Sequence, residues 1–187
     1  MKFRSLLTLA LLVCSTLALA QSNAQSAPPS DAEKSFDAIK SLAGSWNGKV
    51  TMNPKMEGMD DTDHLKITMR VTSRGNALVH EMADPTVPED PLKHDHPVTM
   101  FYLDTNRLLL THYCDAGNRP RMVAQKISPD GKRVEFDFLD LAGPNDYGHM
   151  YHAVFTIIDS NHHTEDWTFL MPGDKQMQAH MELQRGQ

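Results

Sequence analysis

His112, Tyr113, Cys114, Asn118 and Arg121 crowd into ten residues of a 187-residue chain, and they are the side chains best equipped for chemistry. His112 and Cys114 stand two apart in an alternating run, so on a strand they share one face. A neutral imidazole beside a thiolate suits zinc or copper, and His80, on another predicted strand, is the candidate third ligand. A single His-x-Cys lacks the paired spacing of a specific zinc motif, and a half-buried thiol beside a hydrogen-bonded histidine is the weightier reading. Cys114 has no nucleophile elbow, oxyanion loop or orienting carboxylate near it, so no catalytic residue is assigned. Asn118 and Arg121 form an anion clamp if they face inward. Facing outward, Arg121 would merely pair with a surface acid such as Asp115.

Other donors are scattered. His94-x-His96 lies in a Pro-rich loop and His162-His163 in a predicted hairpin turn, both read as solvated. Met52, Met56 and Met59 in the first loop could offer thioethers to copper, whereas Met69, Met177 and Met181 sit on apolar strand faces as core fillers. No phosphate loop, dinucleotide fingerprint or serine motif occurs. No cofactor is assigned; zinc, copper and haem stand as alternatives.

The elements that must position these residues are mostly strands. Ser30 and Glu33 form a capping box ahead of Phe36, Ile39 and Leu42, a short amphipathic helix stopped by Gly44. From Trp46 onward the period is two. Leu65 to Val71, Ala77 to Met82, Val98 to Leu103, Leu108 to Cys114, Arg121 to Ile127, Val134 to Phe138, His149 to Ile158, Thr164 to Met171 and Gln176 to Leu183 alternate in turn. Turn signals such as Ser128-Pro129-Asp130-Gly131 separate them. Without crossover helices a parallel sheet is excluded. About ten strands with short connections predict an all-β, up-and-down antiparallel barrel with a short N-terminal capping helix.

Residues 1–20 read as a signal peptide, with Lys2 and Arg4 before an apolar core and Ala18-Leu19-Ala20 as the cleavage pattern. The expected location is therefore periplasmic or secreted, without a stable membrane anchor; lipidation at Cys14 is the alternative, disfavoured by the bulky Val13 before it. Residues 21–29 read as a disordered tether and 30–187 as one domain. Without the leader, 16 basic residues face 24 acidic ones, which excludes nucleic acid as a natural partner. Only Cys114 then remains, so no intrachain disulfide is expected; its lone thiol is free to pair with another chain, and a homodimer stands as an alternative.

Leu42-Ala43-Gly44-Ser45-Trp46-Asn47-Gly48 resembles the Gly-x-Trp start of lipocalin-like (calycin) barrels, where the Trp plugs the closed end. Helix, Gly-x-Trp and strand count together look more like the fatty-acid-binding and nitrobindin-type branch than true lipocalins. The chain also resembles a family of exported bacterial lipocalin-like proteins of uncharacterised function, most closely in Thr111-His112-Tyr113-Cys114 and Gly117 to Met122. The resemblance implies a small, mostly apolar ligand, with an anionic head group if Arg121 faces inward. Trp46, His80, His112, Tyr113, Cys114, Asn118 and Arg121 are the expected contacts. In nitrobindin-type barrels a histidine near the C-terminus ligates haem; the corresponding His180 falls on the face opposite Met177, Ala179 and Met181. A filled barrel acting as an interaction module is the third reading.

Overall fold

The computed structural model describes residues 28–55 and 61–186. The leader, most of the tether, and Met56 and Met59 lie outside them. One helix, α1 (Asp31–Lys40), precedes ten strands: β1 (Gly44–Asn53), β2 (Thr62–Thr72), β3 (Ala77–Ala83), β4 (Val98–Asp104), β5 (Arg107–Tyr113), β6 (Arg119–Ile127), β7 (Arg133–Ala142), β8 (His149–Ile157), β9 (His162–Met171) and β10 (Lys175–Arg185). Every strand pairs antiparallel with its chain neighbour, and β1 also pairs with β10, so the sheet closes on itself. Closure leaves no unpaired edge for another chain to extend.

The capping box forms as the sequence predicts. Ser30 N–H donates to Glu33 Oε2 at 2.6 Å, and Glu33 N–H donates to Ser30 Oγ at 3.2 Å. Phe36, Ile39 and Leu42 are buried in the barrel's core cluster. Burying such a side chain contributes about 1.5–3 kcal/mol, enough to hold a three-turn helix that would not persist alone.

Behind α1 the chain enters β1 through Gly44, whose φ of +143° lies outside the range of ordinary residues. A Cβ there would also lie 2.5 Å from Arg185 Nη1. Arg185 needs that space. Its guanidinium lies 4.2 Å over the Trp46 ring and donates to the carbonyl oxygens of Ala43 at 2.9 Å, Ser41 at 3.2 Å and Ser160 at 2.7 Å. One of those carbonyls, that of the C-cap Ser41, is an orphan left where α1 ends. Trp46 Nε1–H donates to Leu42 O at 2.8 Å, and the ring is fully buried. The two ends of the barrel strand ribbon are thereby locked together at the helix-capped end.

Above Trp46 the lumen is filled. Phe101, Phe136 and Phe155 meet edge to face with centroids 5.1–6.0 Å apart, and Leu78, Leu110 and Met122 complete that layer. Such aromatic contacts add to the gain from burial itself. No described helix is long and apolar enough to cross a membrane.

Candidate functional site

The barrel end away from α1 holds a pocket of about 660 Å³. Its walls come from the far ends of the strands: Met82 of β3, Met150 of β8, Phe169 and Met171 of β9, and Met177 and Met181 of β10. Methionine is unbranched and polarisable, so such walls adapt their shape to an apolar guest. Trp167 and His112 also line it, and Cys114, Asp95 and Asp115 contribute from the loops at its rim.

Beneath the pocket a buried polar network crosses the lumen. Glu165 of β9 is fully buried and accepts three N–H bonds: His80 Nε2 at 3.1 Å, His163 Nε2 at 3.0 Å and Trp167 Nε1 at 2.9 Å. His80 is on β3, four places from β9 around the ring, so the Glu165–His80 bond spans the interior. Burial alone would raise the Glu165 pKa. The attraction of His80 and the hydrogen bonds from His163 and His80 outweigh it and hold the carboxyl well below its ordinary range. At neutral pH Glu165 is a carboxylate.

His112 is set by a row of paired positions. His80, Thr99 and His112 face one another across β3, β4 and β5, all fully buried. Thr99 Oγ1 lies 2.8 Å from His112 Nδ1, and the imidazole sits 5.5 Å from the Trp167 ring. Burial, reinforced by nearby His80, lowers the His112 pKa to about 3. At neutral pH the ring is uncharged. Nε2, at the far end of the ring, has no hydrogen-bond partner in the protein.

The sequence-predicted residues divide into three groups. His112 and Cys114 come together in the pocket wall, as their shared parity requires. Burial pushes the Cys114 thiol pKa up, with Asp95 and Asp115 adding to it, so the thiolate needed by a nucleophile is disfavoured. Trp46 and His80 are interior, but Trp46 plugs the opposite end and His80 belongs to the Glu165 network.

Tyr113, Asn118 and Arg121 are elsewhere. Tyr113 points outward beside Cys114, as the next residue on a strand must. Asn118 donates through Nδ2 to Pro144 O at 3.0 Å and Gly148 O at 2.7 Å, which ties the β7–β8 loop to the turn before β6. Arg121 faces outward and is bidentate to Asp140 of β7, through Nε at 2.8 Å and through Nη2. The expected inward clamp is thus an exposed cross-strand ion pair, and its partner is Asp140, not Asp115. An Arg121→Ala variant is expected to keep both its urea midpoint and its affinity for pocket ligands; a tenfold affinity loss would return Arg121 to the site.

The expectation of a solvated His163 is overturned. His162, exposed at the start of β9, pairs with Asp159, but His163 is buried inside β9 against Glu165. Glu165 is not among the residues the sequence singles out. The signal was present: His163, Glu165, Trp167 and Phe169 share one parity. His180 does point away from the lumen and pairs with Asp166 at 2.6 Å. Among the described residues no group of three His, Cys, Asp or Glu is disposed to hold a metal ion.

Neither the family models nor the curated proteins contain a match to this chain. Among solved structures the chain is similar to Rv2717c from M. tuberculosis, with 12% identity and a TM-score of 0.59, over 82% of this chain and 98% of that one. A protein of unknown function of the DUF3598 family from Nostoc punctiforme PCC 73102 aligns at 9% identity and a TM-score of 0.40, over 79% of this chain and 48% of that one. The first similarity concerns the fold alone, a closed antiparallel barrel.

Proposed function

We propose that this protein is a binding barrel for a small, mostly apolar molecule held at its open end. One observation carries the reading: a pocket of about 660 Å³ walled by methionine and aromatic side chains, with a single buried imidazole available to orient a guest. Pockets of this volume and lining suit small organic ligands. Asp95 and Asp115 at the rim and an uncharged His112 offer an anionic head group no counter-charge, so the anion-clamp version is set aside. The leader-like residues 1–20 favour binding outside the cytoplasm, which N-terminal sequencing of exported protein would check at Gln21.

The metal reading draws on His112 and Cys114 together. His80, its intended third ligand, gives Nε2 to Glu165, so recruiting that nitrogen to a metal would break a buried network.

The test is titration with N-phenyl-1-naphthylamine, a neutral apolar dye whose emission rises on leaving water. Wild type is expected to bind it at about micromolar Kd, near −8 kcal/mol. Ala179→Phe, which places a ring in the pocket wall, should weaken binding by about tenfold or more. Wild-type protein that leaves the dye dark would remove the proposal.

A further inference from the structure

We propose that the pocket selects a neutral, largely apolar molecule bearing a carbonyl or ether oxygen, which accepts a hydrogen bond from His112 Nε2–H. This deepens the ligand-binding reading and rests on it. The proton on His112 is located by Thr99. Both side chains are fully buried, and Thr99 Oγ1 and His112 Nδ1 are 2.8 Å apart. If Nδ1–H donated, the Thr99 hydroxyl hydrogen would need a second acceptor. Among the described residues, Thr99's side chain has His112 as its hydrogen-bond partner and no other. With Nδ1–H donating, the Thr99 hydroxyl hydrogen and the Nε2 lone pair would both lie buried and unpaired; with Thr99 donating, only Nε2–H is left over, and a guest's oxygen can pair it, so Thr99 donates and Nδ1 accepts.

A neutral imidazole carries one proton, which this arrangement places on Nε2. That nitrogen is fully covered and has no partner in the protein, and its ring belongs to the pocket wall, so a guest reaches it by displacing the neighbouring side chains. It is a donor awaiting an acceptor. A bare hydrocarbon would leave it unsatisfied. A carboxylate would satisfy it, but would enter past Asp95 and Asp115 into walls of Met82, Met150, Met177 and Met181 that hold no cation. A ketone, ester, lactone or ether satisfies the donor and buries its chain against the methionines. The same tautomer leaves Nε2 without the lone pair that a metal would require.

The experiment uses the full chain, with undecan-2-one and undecane competing against the neutral dye. Wild type should prefer the ketone about tenfold, and His112→Phe should bind the two equally while retaining the alkane. Nitrogen-15 NMR of the wild-type imidazole should show Nε2 protonated and Nδ1 bare, a readout independent of any variant's folding. Equal affinities in wild type, or a proton on Nδ1, would overturn the inference and leave the pocket reading standing. Failure of dye, ketone and alkane alike would overturn the pocket reading itself.

Discussion

A Glu165→Leu variant is expected to lose about 3–5 kcal/mol of unfolding free energy, the usual cost of removing one partner from a buried charged network. For a domain of this size that is roughly a 10 °C fall in Tm. The loss does not measure an attraction between two charges. Leucine replaces the carboxylate acceptably in volume, but the N–H groups of His80, His163 and Trp167 then lie buried with nothing to accept them. Each such orphan costs about 1–3 kcal/mol. The companion His80→Leu, Glu165→Leu double variant should lose clearly less than the two single losses combined, because it removes a donor along with the acceptor. Urea denaturation of all four proteins checks both statements. A Glu165→Leu protein as stable as wild type would mean the network contributes nothing to holding the barrel.

The second large effect concerns acid. The folded His112 has a pKa of about 3, against 6.5 when unfolded. Above pH 6.5 neither state binds the proton and stability is level. Below it the unfolded chain takes up a proton that the folded protein refuses, so stability falls as pH drops. The slope approaches about 1.4 kcal/mol per pH unit for one such group, roughly 2–3 kcal/mol between pH 6.5 and 4.5. His149, whose pKa burial also lowers, adds a smaller decline in the same direction. Glu165 behaves differently, because its folded pKa lies below the carboxylate range. The stability it confers is present above the unfolded carboxylate value and is lost only as pH falls toward the folded one. Its loss therefore begins where that of His112 is already well advanced. Denaturant midpoints from pH 7 to 4 should fall in wild type and stay much flatter in His112→Phe. Parallel curves would exclude His112 as the sensor.

What could be read from residues alone was whatever obeys a period or a cap. The capping box, the helix-to-strand switch at Gly44 and the strand alternation locate α1 and ten strands, and antiparallel sequential pairing follows from the short connections. The shared face of His112 and Cys114 was legible for the same reason. Inward direction was not, because β4 and β5 carry apolar residues on both faces; Leu109 and Leu110 are adjacent and both fully buried. Arg121 was ambiguous for want of a partner, since Asp140 lies on another strand and becomes adjacent through the β6–β7 register. Glu165 was hidden by a good rule. Charges within strands usually face water, and only the company of Trp167 at the same parity argued otherwise.

The crossing carboxylate also acts on the chain's choice among foldings. In β9, Glu165 and Asp166 are adjacent, and one faces the lumen while the other pairs outside with His180. Sliding β9 by one position would exchange them, because side chains alternate faces. Asp166 is shorter and would enter the lumen out of step with the donors aligned for Glu165, while Trp167 would turn toward water. Most strands of a barrel are indexed by apolar preference alone, a penalty that grows gradually with each misplaced methyl group. Here a single ion sets the frame of β9, and every neighbouring frame strands a charge in the lumen or its donors without one. The barrel's register is thereby selected by exclusion as much as by attraction.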